Sequence, residues 1–423
     1  MAKNAVISAL AALALLCVSC GRGEGNQAPE LLRAIPSDAL EIICFDRVDD
    51  GLEFSLDSNN VLRTLDFGRF ASSRMVVAMD NVGSVEQLLA IDAGHASPDT
   101  SDAARKLLSR AESAGIHSAF ICGSDSTIKR NILLLSTSET VVNVALRHVD
   151  ANTSILDSPN FGQVLSKMAS TRNSVTVRNS GSRKLLTANV FDDYIPHTEL
   201  VKFVHGFSEW LVADADDCRS GDFSVSAICD GSAKYFSNLL AGLAPSASRL
   251  MDVMPAGAVF AIDMPVPERE SFRESFEAWK DAGSSLDSYR KKLKNLKSSY
   301  GKDPLRWEKE LGIREVARVC LEDGSSLTLV RTSRSSKGMS EMVPNPYPGY
   351  VAALYGSAFA SAADSCMLTV RDWTVTGNET AVRTFSETGF KPVEEWPGKC
   401  TFNIWSPSLT IGGRKEGITL TVK

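Results

Sequence analysis

A repeated pattern of proline turn followed by strand constrains this chain more than any other feature. Residues 32–40 read LRAIPSDAL and lead into the apolar run 42–45, while residues 251–259 read MDVMPAGAV and lead into 260–262. In each copy a short helical segment stops at a proline, whose ring removes a backbone donor, and a strand begins after the small residues that follow. Two further blocks recur in the same order. Residues 115–124 (GIHSAFICGS) pair with 349–357 (GYVAALYGS), and 133–142 (LLLSTSETVV) with 373–382 (WTVTGNETAV). The second pair of blocks reads as a strand running into a helix. Ser138 and Asn378 stand where a side-chain oxygen caps the first free N–H groups, and Glu139 and Glu379 follow at the positive helix start. The proline motifs lie 219 residues apart and the Glu-Thr motifs 240. Equal order with unequal separation predicts a duplication whose second copy carries extra residues.

Those extra residues fall in 268–312. Phe272, Trp279, Leu286, Leu293 and Tyr300 recur every seven residues, with Phe276, Tyr289 and Leu296 between them. Residues 283–285 (GSS) interrupt the seam and its phase changes there, which predicts two amphipathic helices packed on their own domain rather than one coiled coil. Asp303-Pro304 ends the second, and a short helix over 305–311 precedes strands at 316–321 and 326–332. In the first half, strands are expected at 42–45, 75–78, 87–92, 118–122, 132–136 and 174–178, and helices at 103–114, 139–148, 160–168, 197–212 and 233–243. Strands with short connections mixed with helices predict an α+β fold of two related domains, each a largely antiparallel sheet with packed helices. The expected division is 30–245 and 246–423, meeting near the APSAS stretch at 244–248.

The N-terminus predicts location. Lys3 precedes 14 residues, 5–18, with no charge and only Ser8 polar, which is the pattern of a secretory signal. The run is shorter than the roughly 20 apolar residues a bilayer span needs. Residues 15–20 (LLCVSC) resemble the lipobox of bacterial lipoproteins, with Cys17 where that pattern usually has Leu. The resemblance implies a signal peptide over 1–19, lipidation at Cys20 and a tether over 20–29. A plain signal peptide cut near Ser19 is the alternative. Together with IPSDAL (35–40), MPAGAV (254–259), LLLSTSETVV, SILDSPNFGQVL (154–165) and DPLRWEKELG (303–312), the chain resembles bacterial envelope lipoproteins that carry a large duplicated α+β domain of unknown function. That resemblance implies a lipid-anchored membrane protein, facing the periplasm or the cell surface, and lends no catalytic residue.

Without the leader, 404 residues remain, more than one hydrophobic core usually serves. A net charge of −6 argues against nucleic acid as a partner. Of nine cysteines, leaving out Cys17 and Cys20 makes seven, an odd number with no CxxC among them. Cys44, Cys122 and Cys229 read as small buried hydrophobes within apolar runs, while Cys218 with Cys229 is the one disulfide pairing the spacing suggests. The five histidines never approach a cysteine or each other at metal-ligand spacing.

Chemistry is sparse. Ser288-Tyr289-Arg290-Lys291 and Ser299-Tyr300-Gly301-Lys302 match SxxK without the companion elements of penicillin-recognising enzymes. Asp214, Asp216, Asp217 and Asp222 share a loop, but Arg219 stands where an EF-hand needs glycine. Residues 412–415 (GGRK) read as a hairpin turn, and no cofactor motif is present. One charged feature stands out: Arg290, Lys291, Lys292, Lys294, Lys297 and Lys302 run without an acid between Asp287 and Asp303. It reads as a solvated helix face or as a contact for anionic lipid or an acidic envelope partner. The functional expectation is a noncatalytic binding or structural protein of the envelope, with a hydrolase of scattered residues or a surface adhesin as alternatives.

Overall fold

The computed structural model describes residues 29–123, 128–178, 206–218, 222–228, 234–240, 243–391, 393, 396–407, 409–414 and 417–422. Cys20 and the rest of the leader lie outside them. The chain forms two compact units. The first takes the described residues up to Arg178 together with 209–228, and the second takes 206–208 and everything from Lys234 onward. The division therefore comes earlier than the expected 245. Phe236, Leu239 and Leu240 are buried, and the rings of Phe207 and Phe236 lie 5.5 and 6.2 Å from that of Phe402. Their apolar surface belongs to the second core.

In the first unit, β1 (Glu41–Phe45), β2 (Met75–Asn81), β3 (Val85–Gly94), β4 (His117–Ile121), β5 (Asn131–Ser136), β6 (Ser174–Arg178), β7 (Trp210–Asp214) and β8 (Asp222–Ile228) form one sheet. Every pairing is antiparallel, in the spatial order β4-β5-β3-β2-β1-β6-β7-β8. Helix α1 (Val48–Ser55) follows β1, α2 (Asp102–Ser113) precedes β4, and α3 (Glu139–Asp150) and α4 (Phe161–Met168) connect β5 to β6. Ile42 and Cys44 of β1 join the core that also holds Val141, Val142, Phe161 and Val164. Phe45, one step along the strand, meets Phe54 of α1 at 5.2 Å. Side chains alternate across a strand, so both faces are covered, and β5 accordingly reads NILLLS with no polar alternation.

The second unit contains β9 (Ala258–Pro265), β10 (Glu315–Leu321), β11 (Ser326–Arg331), β12 (Cys366–Val370), β13 (Trp373–Gly377), β14 (Phe402–Ser406), β15 (Leu409–Arg414) and β16 (Gly417–Val422). They too pair antiparallel, in the order β12-β13-β11-β10-β9-β14-β15-β16. This is the order of the first sheet with eight added to each number. A two-residue strand, Val343–Pro344, lies outside β12. Between β9 and β10, where the first unit has α1, stand α5 (Arg269–Ala282), α6 (Leu286–Tyr300) and α7 (Pro304–Leu311). The chain turns between α5 and α6 at 283–285, with Ser284 at φ 51°, and Asp303 caps α7 through the N–H groups of Leu305 and Arg306. Helix α8 (Tyr350–Tyr355) precedes β12, and α9 (Glu379–Thr388) follows β13.

The repeated motifs fall at corresponding places with one exception. Glu139 opens α3 and Glu379 opens α9. The carbonyl before each motif proline accepts from the chain beyond that helix: Ile35 from Ile155 N–H at 2.9 Å, Met254 from Lys391 N–H at 2.8 Å. Asn378 caps Ala381 N–H as expected, whereas the Ser138 side chain caps nothing and its own N–H donates to Ser136 Oγ at 3.0 Å. The exception is 115–124 against 349–357. The first contains a strand, β4, and the second a helix, α8, which Gly349 opens at φ 78°. Short apolar runs do not declare their period.

Other expectations are corrected too. Residues 210–212 of the expected helix 197–212 belong to strand β7, whose Trp210 is fully buried between β6 and β8, and 197–205 lie outside the described residues. The helix expected over 233–243 is a single turn, Phe236–Leu239. Cys122 is exposed just past the end of β4, while Cys44, Cys218, Cys320 and Cys400 are buried free thiols. Cys229 lies outside the described residues.

Candidate functional site

The basic run forms α6, and its apolar residues decide which side faces out. Tyr289 is buried, Leu286, Leu293 and Leu296 are half-buried, and the remaining positions from Asp287 to Tyr300 are solvent-exposed. Three of the six cations in the run are engaged: Arg290 pairs with Glu277 on α5 at 3.1 Å, Lys297 with Asp303 at 3.1 Å, and Lys302 with Glu310 at 2.5 Å. Lys291, Lys292 and Lys294 are exposed and have no acidic partner within 4 Å among the described residues. They form a free cationic face one to two turns long. Ser288 and Ser299 of the SxxK matches lie on the same exposed helix.

A buried ion pair holds this helical insertion in place. The Glu308 carboxylate on α7 is fully buried and accepts from Arg273 Nη2 of α5 at 2.6 Å and from the Tyr355 hydroxyl of α8 at 2.5 Å. Arg269 stands 3.7 Å from its other oxygen. Arg273 Nη1 also donates to the Tyr289 hydroxyl of α6 at 3.1 Å and to the Leu354 carbonyl at 2.7 Å. Burial, the largest single influence, would lower the Arg273 guanidinium, but Glu308 together with the Tyr289 and Tyr355 hydroxyls holds the group above its ordinary value. Burial, and then Glu308, push the Tyr355 phenol well up, so it remains a donor. One carboxylate therefore ties α5, α7 and α8 together, and α6 through Arg273.

A second buried group pairs two carboxyls. Asp263 on β9 and Glu315 on β10 share a sheet face, since their ladder partners are Ala317 and Pro265. The Glu315 carboxylate accepts from Ser248 Oγ at 2.7 Å, from the N–H groups of Arg249 and Leu250 at 3.0 and 3.2 Å, and from Arg331 Nε at 2.9 Å. With those donors Glu315 carries the charge. Burial and the neighbouring Glu315 push Asp263 well above the usual carboxylate range, so it keeps its proton. Both are 0% exposed, which closes this pair to any substrate. A lone acid inside the apolar run 258–265 was its sequence signal, as was Glu308 within α7.

The remaining nominated residues are accounted for locally. The Asp216 carboxylate accepts from Asn173 Nδ2 at 3.1 and 3.2 Å, and Asp214 Oδ1 accepts from Asp216 N–H at 2.8 Å. Gly412 and Gly413 are strand residues of β15, and Arg414 pairs with Gly417 across the hairpin that follows. Among the described residues, no three His, Cys, Asp or Glu side chains gather to hold a metal ion, and no helix is long and apolar enough to cross a membrane. Comparison with known protein families, with curated proteins and with solved structures gave no match to this chain.

Proposed function

We propose that this chain is a lipid-anchored bacterial cell-envelope protein, held by Cys20, whose two units are copies of one duplicated α+β domain and whose role is binding or structural rather than catalytic. The duplication is supported by the common strand order of the two sheets and by the matching hydrogen bonds behind Pro36 and Pro255. The anchor is supported by the apolar run 5–18 and the lipobox-like residues that end at Cys20. The observation that carries the membrane-side role is the outer face of α6. Lys291, Lys292 and Lys294 are free of acidic partners and complementary to anionic head groups, each cation contributing about 1 kcal/mol at such a surface. A lipid tether raises the local concentration of that face at the membrane, so a weak contact suffices.

The test has two parts. Fractionation of cells compares the natural chain with Cys20→Ala, and the variant is expected in the soluble fraction. Crosslinking in native membranes then identifies what the anchored protein touches. A recurrent specific protein partner supports the binding role, and a variant that still sediments with membranes refutes the anchor.

A further inference from the structure

On the second sheet, the face that carries Ala261 and Trp405 turns polar toward one end. Asp263 stands opposite Asn403, Asn403 opposite Gly412, and Gly412 opposite Thr419. Residues directly opposite in an antiparallel ladder share a face. Gly412 leaves a gap in this row, where a Cβ would lie 2.6 Å from the Cys400 sulfur and 3.0 Å from Pro397 Cβ. The thiol fills the gap, and the segment around it is pinned where Lys399 and Cys400 pair with Ala247 and Ser246. Between that segment and β15–β16 opens a cleft of about 440 Å³, with Trp396, Cys400, Thr410, Gly412, Arg414 and Thr419 in its wall.

Three buried polar atoms on or near this wall have no hydrogen-bond partner among the described residues. Two are donors: Trp396 Nε1, and Nε1 of Trp405, the ladder neighbour of Thr410. The third is an acceptor, Asn403 Oδ1, on a side chain that is 0% exposed and lies opposite Gly412. Most buried polar groups in native proteins are paired. Trp396 lines the cleft itself, and Trp405 and Asn403 are the ladder partners of its wall residues Thr410 and Gly412, so these orphans indicate a polar guest, either ordered water or a ligand.

The lining selects among guests. It offers an indole N–H, two threonine hydroxyls, a thiol and the Arg414 guanidinium, which donates to the Lys399 carbonyl at 2.9 Å and also lies against the Cys400 thiol. Among the described residues no carboxylate lines it. Asp263, behind Asn403, is neutral because burial and Glu315 keep its proton on, so that carboxyl does not oppose an anion. Donors with one cation suit a carboxylate, and the Trp396 and Pro397 rings suit a carbon skeleton.

We propose that this cleft binds a small organic carboxylate, its charge met by Arg414 and the Trp396 indole N–H and its carbon body resting on Trp396, Pro397 and Cys400. The proposal goes beyond the anchored-protein reading and does not depend on it. The test is a titration of the full chain, ¹⁵N-labelled at its six tryptophans, with glucuronate and with glutamate, and with glucose as the uncharged control. Trp396→Phe assigns the reporting indole resonance. At least one carboxylate is expected to shift that resonance and to slow alkylation of Cys400, but not of exposed Cys122, by iodoacetamide. Arg414→Gln is expected to weaken binding about tenfold or more, with the other indole resonances unmoved as proof of folding. No shift with either carboxylate means water alone occupies the cleft and overturns the proposal. An equal response to glucose, or an unchanged affinity in Arg414→Gln, overturns it as well.

Discussion

Replacing Glu308 with alanine strands a buried arginine, and the size of the penalty follows from the contacts. Glu308 is fully buried, Arg273 is 11% exposed at its side chain, and the two meet at 2.6 Å. Removing one partner of a buried ion pair costs about 3–5 kcal/mol, because the other charge is left unpaired. The Tyr355 hydroxyl also loses its acceptor, at 2.5 Å, which adds about 1 kcal/mol. A total of about 4–6 kcal/mol lowers the melting temperature of a unit near 200 residues by about 8–24 °C, at 2–4 °C per kcal/mol. Calorimetry reads the shift, and hydrogen exchange should rise in α5, α7 and α8 while β3 and β5 of the first unit stay protected. Glu308→Gln keeps an acceptor and should fall between natural chain and alanine variant. Arg306→Ala is the control on the same helix: its pair with Glu310 is exposed, and such pairs contribute less than about 1 kcal/mol. A Glu308→Ala shift no larger than the Arg306→Ala shift would refute the claim that Glu308 organises the insertion.

Three further outcomes are expected. Converting Lys291, Lys292 and Lys294 to glutamine should lower binding to vesicles rich in anionic lipid by about 100-fold, from about 1 kcal/mol per cation, and added salt should mimic the loss. Unchanged binding would dismiss the membrane contact. Burial pushes the Glu41 carboxyl from 4.5 to about 7, so between those values the folded state holds a proton that the unfolded chain has released. Stability should therefore fall as pH rises from about 4.5 to 7, by at most about 3 kcal/mol since the side chain is only partly buried. Urea midpoints across that range should flatten in Glu41→Gln. Gly413→Ala would place a Cβ 1.7 Å from Phe402 Cε1, on a ring packed between Phe207 and Phe236, and should cost about 1–3 kcal/mol, whereas Gly257→Ala meets nothing within 4 Å and should stay within about 0.5 kcal/mol of the natural chain by chemical denaturation.

What the sequence disclosed and what it hid follow a physical division. Long periodic segments were legible: α2, α3, α5 and α6 carry apolar residues at helical spacing, and β3 and β5 are apolar runs bounded by turn residues. Residues 210–212 were not, because Trp-Leu-Val continues the preceding apolar pattern of 197–207 and only pairing with β6 and β8 makes it a strand. The 349–357 block differs from its partner 115–124 for the same reason, since six consecutive apolar or small residues suit a buried helix as well as a strand. The proline and Glu-Thr motifs succeeded because a ring, a cap and a charged first turn act within a few residues. The cleft beside Cys400 was invisible in advance: it depends on Gly412 lying opposite Asn403, which is a matter of register between strands and leaves no local mark.

The most direct test of the account is the partition of the protein between membrane and soluble fractions, measured for the natural chain and for Cys20→Ala expressed at equal levels. Anchorage at Cys20 predicts that the natural chain follows the membranes and enters a detergent phase, while the variant is released intact to the soluble fraction. A Cys20→Ala chain that still partitions with the membranes would contradict it.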